Sequence, residues 1–214
     1  MKSTYIAFEG LDGCGKTTQI QLLEKFYKEK GRVVEIVRQP GHTIVGEVIR
    51  ELVLNEEGNF NETDFLLFLA SHIQGILELK ERKDEGIVFI LDRTFISTMS
   101  YQGKNISLSF QDMILLYSRL INHFEVDHLF FLDIDAEVAY KRITTRENKP
   151  SDKFEDKGLN FLTELRDNYK SVLDLDQLGI FKKHSIIELG EKTTPEEVLS
   201  CIIEILNQEN LCDG

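Results

Sequence analysis

A chain of 214 residues with 25 basic and 37 acidic side chains carries a formal charge of −12, which argues against broad binding to nucleic acid or to an anionic membrane surface. Its three cysteines, Cys14, Cys201 and Cys212, lack the spacing of a metal knuckle, and no apolar run is long enough to span a bilayer. The length suits one domain over residues 1–214, and the start of the chain lacks the basic and apolar regions of a signal peptide, so a soluble, cytoplasmic protein is expected.

The first apolar run, Tyr5 to Glu9, reads as a strand, and a helical pattern over about 16–30 follows it. Between them lie Gly10-Leu11-Asp12-Gly13-Cys14-Gly15-Lys16-Thr17-Thr18, which fit G-x-x-x-x-G-K-[ST]. In that loop, backbone N–H groups cradle phosphate oxygens, the lysine neutralises β/γ charge and the hydroxyl holds Mg²⁺. The following helix adds the positive end of its dipole to the same anion site. Cys14 reads as a small residue filling a tight loop.

A second strand over Val33 to Val37 ends at Arg38-Gln39-Pro40-Gly41. Helical patterns over 44–55 and 62–82 come next, the latter starting at Asn61 as cap with Asp64. Phe68 and His72 are one turn apart on it and share a face, so both can line one pocket. The third strand, Ile87 to Leu91, runs into Asp92-Arg93. A helix over 110–124 precedes a fourth strand, Leu129 to Ile134, where Asp133 and Asp135 read as a strand end and a helix cap. Helices over 136–147 and 157–178 flank a basic group, Arg142, Arg146, Lys149 and Lys153, around Asn148, Pro150 and Ser151; such a segment can close as a lid over about 143–156. A fifth strand, Ser185 to Leu189, leads to a helix over 195–207, announced by Thr194-Pro195-Glu196-Glu197.

Strands alternating with helices imply an α/β protein with a five-stranded parallel sheet covered on both faces, and ligands then bind beyond the carboxyl ends of the strands. Three such ends carry the phosphate loop, Arg38 and Asp92-Arg93. Lys16 and Thr17 suit a phosphoryl donor, and Arg38 and Arg93 can grip an acceptor phosphate through charge-assisted bonds. A guanine-reading Asn-Lys-x-Asp is missing, since Asn148-Lys149-Pro150 continues to Ser151.

Phe8-Glu9-Gly10 through Gln19, Arg38-Gln39-Pro40-Gly41, Leu66-Leu67-Phe68, Asp92-Arg93 with Ser97 and Tyr101-Gln102-Gly103, then Asp152-Lys153-Phe154-Glu155 and Arg166-Asp167-Asn168-Tyr169, together resemble thymidylate kinase over nearly the whole chain. The resemblance implies the three-layer fold of the P-loop nucleoside monophosphate kinases, with a short lid. It also implies ATP- and Mg²⁺-dependent phosphorylation of dTMP to dTDP on a homodimer. By position it places Asp12 near the sugar 3′-hydroxyl, Arg38 and Arg93 on the acceptor phosphate, and Asp92 with Thr17 at the metal. Phe68 would stack on the base, Tyr101 would lie against the deoxyribose, Gln102 near the base, and Ser97 in the acceptor site. Glycine at position 13, where some members carry an arginine, implies that the lid supplies the catalytic cation, with Arg146 first and Lys149 and Lys153 behind it.

Departures from the family pattern stand at His72 for arginine, Gln39 for glutamate, Thr94 for tyrosine and His42 for glycine. A neutral imidazole can donate to a thymine oxygen, accept from a cytosine amine, or serve as a satisfied buried side chain. The loss of charge at Gln39 is expected to relax a bond that orients Arg38. The alternatives to dTMP phosphorylation are a kinase for another or a 5-modified pyrimidine deoxynucleoside monophosphate, and a non-catalytic nucleotide-binding regulator.

Overall fold

The computed structural model describes residues 1–55, 60–122, 124–145, 158–175 and 179–212. Five strands, β1 (Thr4–Gly10), β2 (Val34–Arg38), β3 (Val88–Asp92), β4 (Val126–Ile134) and β5 (Phe181–Leu189), form one parallel sheet in the order β2-β3-β1-β4-β5. The sequence order reverses beside β1, which puts the site at the carboxyl end of that strand. β1 is buried along its whole length, as a strand covered on both faces must be. Its Phe8 is in register with Asp92 of β3, and Asp92 with Arg38 of β2, so the three expected strand ends meet on one rim.

Among the described residues eight α-helices accompany the sheet: α1 (Lys16–Glu29), α2 (Ile44–Asn55), α3 (Asn61–Glu81), α4 (Phe95–Gln102), α5 (Phe110–Ile121), α6 (Ala136–Thr144), α7 (Gly158–Leu173) and α8 (Pro195–Gln208). The α8 start carries the expected capping box, with Thr194 Oγ1 accepting from Glu197 N–H and the Glu197 carboxylate accepting from Thr194 N–H. Asp135 caps α6 in the same spirit, accepting from Glu137 N–H at 2.9 Å.

Several boundaries differ from the sequence reading. Asn61 is the first residue of α3 rather than its cap, and its amide donates instead to the Asn105 carbonyl at 3.3 Å. β4 and β5 begin earlier than their apolar runs, because ladder bonds to a neighbouring strand extend pairing into polar residues such as Lys182 and Lys183. The helix 110–124 stops at Ile121, where Asn122 adopts a left-handed conformation with φ of 51°. Helix α4 has no counterpart among the elements predicted from the sequence. None of the helices among the described residues is long and apolar enough to cross a membrane.

Candidate functional site

Three glycines shape the phosphate loop. Gly10, Gly13 and Gly15 have φ of 143°, 81° and 97°, values that side-chain-bearing residues avoid. A Cβ on Gly10 would lie 2.7 Å from the Leu132 carbonyl oxygen, and one on Gly13 would lie 2.8 Å from that of Ala139. The loop is therefore pressed against β4 and α6, and a side chain at position 13 would strain this backbone and force it to shift. Gly15 leads into α1, whose start no side chain caps, which leaves its first N–H groups to face an anion. Cys14 is buried in the loop with its thiol beside Gly10, as a filler.

Lys16 folds over this loop. Its ammonium donates to the carbonyls of Gly10 and Leu11 at 2.8 and 2.9 Å and stands 3.8 Å from the Asp12 carboxylate. Asp12 also accepts from Arg93 at 2.5 Å and from the Tyr101 hydroxyl at 3.0 Å. Although burial opposes ionisation, these two cations and the phenol hold the Asp12 carboxyl far below the usual carboxylate range. One carboxylate is thus the meeting point of a donor-side and an acceptor-side cation.

Arg93 is placed by unusual backbone and by many partners. Its φ is 75°, a left-handed conformation costing a non-glycine residue about 1 kcal/mol. Its N–H continues the β1 ladder by donating to Phe8. The guanidinium donates to the Gly10 carbonyl at 3.3 Å, Ser97 at 3.1 Å and Tyr169 at 2.9 Å, and lies 5.4 Å from the centre of the Tyr101 ring. Beneath it, the fully buried Glu9 accepts from the backbone and hydroxyl of Thr94 and from Ser97, anchoring the start of α4. Thr94 is accordingly a cap for α4 and a partner for Glu9.

These groups line one cavity of about 430 Å³. Asp12, Gly13, Gly15, Lys16, Thr17 and Thr18 of the phosphate loop and the start of α1 line it, as does Asp92. Arg38, Phe68, His72, Arg93, Ser97, Tyr101 and Gln102, the residues predicted for the acceptor, line the same cavity, and Arg93 and Tyr101 meet Asp12 where the two sets join. Gly10, Leu11 and Cys14 complete the loop behind the lining. Arg50, Leu54, Gln39 and Thr98 also line the cavity and were not among the named site residues. Arg50 had a signal: it is a cation in the otherwise apolar and acidic α2, directly after the Arg38 loop, and it donates to the Pro40 carbonyl at 3.3 Å.

The base-side departures form a unit. His72 is buried, its Nδ1 bonded to Gln39 Oε1 and its Nε2 to the Thr98 hydroxyl at 2.9 Å. The glutamine amide and the threonine hydroxyl thus give each ring nitrogen one polar partner. Burial pushes the imidazole down to about 3, so it is neutral. Both nitrogens are satisfied, which makes His72 a structural wall of the cavity rather than a free hydrogen-bonding probe. Gly75 makes room for the Gln39 amide, since a Cβ there would stand 2.8 Å from Nε2. Gln39 is thus engaged with His72 and not with Arg38. Arg38 instead donates to Glu47 at 3.0 and 3.3 Å, and Glu47 also receives the His42 N–H. His42 itself has φ of 70°, a conformation glycine adopts without cost.

Of the basic group around the expected lid, Arg142 is described: it reaches back from α6 and donates to the Gly13 carbonyl at 3.3 Å. Arg146, Lys149 and Lys153 lie outside the described residues, with most of the span 143–156.

Comparison with known proteins adds an independent line. The thymidylate kinase family model matches residues 8–189. The chain is 36% identical over 167 residues to the thymidylate kinase of Thermosipho africanus, covering 77% of this chain and 82% of that one. To the thymidylate kinase of Chlorobaculum parvum it is 34% identical over 215 residues, covering 94% of each. The solved structure of thymidylate kinase from Candida albicans shares its fold, with a TM-score of 0.75 at 21% identity over 99% of this chain and 94% of the other.

Proposed function

The chain belongs to the thymidylate kinase family, and on that premise we propose that it transfers the γ-phosphoryl group of ATP to dTMP, yielding dTDP and ADP. The observation that carries this reading is one cavity lined both by a phosphate loop with its Lys16 and by a second set of cations, Arg38, Arg50 and Arg93, suited to another phosphate. A nucleotide-binding regulator has no use for two such sets.

Phosphoryl transfer asks the protein mainly for alignment and for positive charge around the moving group. Lys16 and the loop N–H groups supply this on the donor. Arg38 and Arg93 hold the acceptor phosphate, and Phe68 with His72 and Gln102 encloses the base. Tyr101 and Asp12, bonded to each other, position the deoxyribose, and Ser97 steadies Arg93. Thr17 and Asp92 offer the hard oxygens that suit Mg²⁺, which takes its remaining ligands from phosphates and water; they would hold the ion, and it supplies charge neutralisation. In this reading the lid adds a further cation, Arg146 or its neighbours Lys149 and Lys153.

The partners are ATP and a pyrimidine deoxynucleoside monophosphate, and the protein works as a cytoplasmic homodimer without nucleic acid or membrane. The charge of −12 supports the exclusion of polyanions. Exposed Val45, Val48 and Leu52 of α2, with Leu66 of α3, offer an apolar face to a second copy.

A coupled ADP-release assay with ATP and Mg²⁺ against dTMP, dUMP, dCMP, UMP, dGMP and dAMP tests the proposal. The highest kcat/KM is expected for dTMP. Preference for a purine monophosphate, or no ADP release with any acceptor, would overturn it.

A further inference from the structure

Tyr169 lies on α7, far in sequence from the cavity's other residues, yet its hydroxyl is bonded to two of them. It is fully buried, accepts from Arg93 Nη1 at 2.9 Å and meets Ser97 Oγ at 2.7 Å. Ser97 Oγ is in turn 2.6 Å from Glu9 Oε2, in a carboxylate with no exposure to solvent.

The chemistry of these groups fixes every proton in the chain. A guanidinium only donates and a carboxylate only accepts. Ser97 has one proton, and with Glu9 as acceptor that proton points at Glu9. Tyr169 must then donate to Ser97, which leaves its lone pair to receive Arg93. Burial, reinforced by the Glu9 charge, holds the phenol well above its ordinary range, so the hydroxyl keeps its proton. The result is a one-way network in which Arg93 Nη1 donates to Ser97 directly at 3.1 Å and also through Tyr169, and Ser97 donates on to Glu9, in a dry setting where such chains strengthen their members. The Tyr169 ring is also fixed, 5.3 Å from Phe131 and edge-on to Tyr101 at 6.4 Å.

We infer that Tyr169 is a positioning residue for the acceptor phosphate: by helping to pin the Nη1 arm of the Arg93 guanidinium on the Ser97 and Glu9 side, it fixes the Nη2 arm, bonded here to Asp12, where the monophosphate can engage it. The inference rests on the reaction proposed above. It differs from a simple packing role in one respect. The effect must pass through Arg93 and therefore through the phosphate of the acceptor, not through its nucleoside.

Tyr169→Phe removes the hydroxyl and keeps the ring. Because one hydrogen bond to a charged partner is lost, KM for dTMP is expected to rise roughly tenfold, while KM for ATP changes less than about twofold. Titration calorimetry with dTMP and with thymidine separates phosphate from nucleoside, and only dTMP is expected to weaken. In an Arg93→Ala background the same substitution is expected to change dTMP affinity by less than about twofold, since the network then has nothing to fix. Equal weakening of dTMP and thymidine would overturn the inference. So would an unchanged dTMP affinity, or a loss of the same size in the Arg93→Ala background. Lack of turnover by the wild-type enzyme would instead sink the proposed reaction, and the binding arms would still judge the network.

Discussion

The neutral state of His72 makes a quantitative prediction about acid stability. Its folded-state value of about 3 lies far below the ordinary 6.5. An imidazole depressed in this way binds its proton more readily in the unfolded chain, so its contribution is complete above pH 6.5 and is lost as pH falls toward the folded value. The loss grows by about 1.4 kcal/mol per pH unit well below 6.5, which integrates to about 2 kcal/mol between pH 7 and pH 5. Any folded-state value below about 4 gives nearly the same figure, because at pH 5 the folded protein still holds His72 unprotonated. His128 is also pushed down, by burial against the opposing pull of Glu209, so the wild-type slope alone does not isolate one residue. The comparison that does is wild type against His72→Gln, by urea unfolding at pH 7 and pH 5. The variant is less stable at pH 7, through lost packing and hydrogen bonds, but its further loss on acidification is expected to be smaller by about 2 kcal/mol. In melting temperature that difference is roughly 4–8 °C for a chain of this size. Parallel slopes for the two proteins would refute a buried, neutral His72.

Three further outcomes follow from the site. Lys16→Ala is expected to cut turnover by roughly two to three orders of magnitude, since charge stabilisation of the transferring group disappears, and near-normal turnover in the ADP-release assay would remove Lys16 from the mechanism. Gly13→Ala places a methyl against the Ala139 carbonyl at a left-handed φ of 81°, so a stability loss of about 2 kcal/mol and weaker ATP use are expected, and a melting curve like that of the wild type would contradict the loop geometry. His72→Arg alone buries a guanidinium against a neutral amide at a cost of about 3 kcal/mol; adding Gln39→Glu supplies its partner and should recover most of that and sharpen dTMP over dCMP. Additive losses in the double variant would show that positions 39 and 72 do not act as a pair.

The donor half of the cavity was legible because its determinants are contiguous. Glycine spacing dictates the backbone of positions 10–15, the strand before it and the helix after it follow from hydrophobic period, and the carboxyl ends of three strands converge by topology alone. Helix α4 was not legible. Its eight residues, FISTMSYQ, are rich in β-branched and hydroxyl side chains and are buried nearly all round, so no polar face marks a helical period. What holds it is Glu9, 85 positions before Thr94, which no local pattern announces. The neutral pairing of Gln39 with His72 was hidden for the same reason. Each residue taken alone looked like a weakened version of a charged contact, and only their meeting across 33 positions shows one substitution compensating the other.

This asymmetry has a physical origin. Lys16 is held by carbonyls of its own loop, five and six residues away, so the donor clamp is built as soon as the turn forms. Arg93 is held by Asp12, Gly10, Ser97, Tyr101 and Tyr169, drawn from the phosphate loop, α4 and α7. A partly buried guanidinium on a strained backbone persists only when several partners over-determine it. Those partners must come from elements already docked on the sheet, so the acceptor clamp exists only in the finished fold. In a protein of net charge −12 that arrangement also confines a desolvated cation to one place, where two carboxylates, Asp12 directly and Glu9 through the network, balance it. An arriving phosphate then competes with Asp12 for the same guanidinium arm, so the affinity of the acceptor site depends on how firmly the far side of Arg93 is tied down.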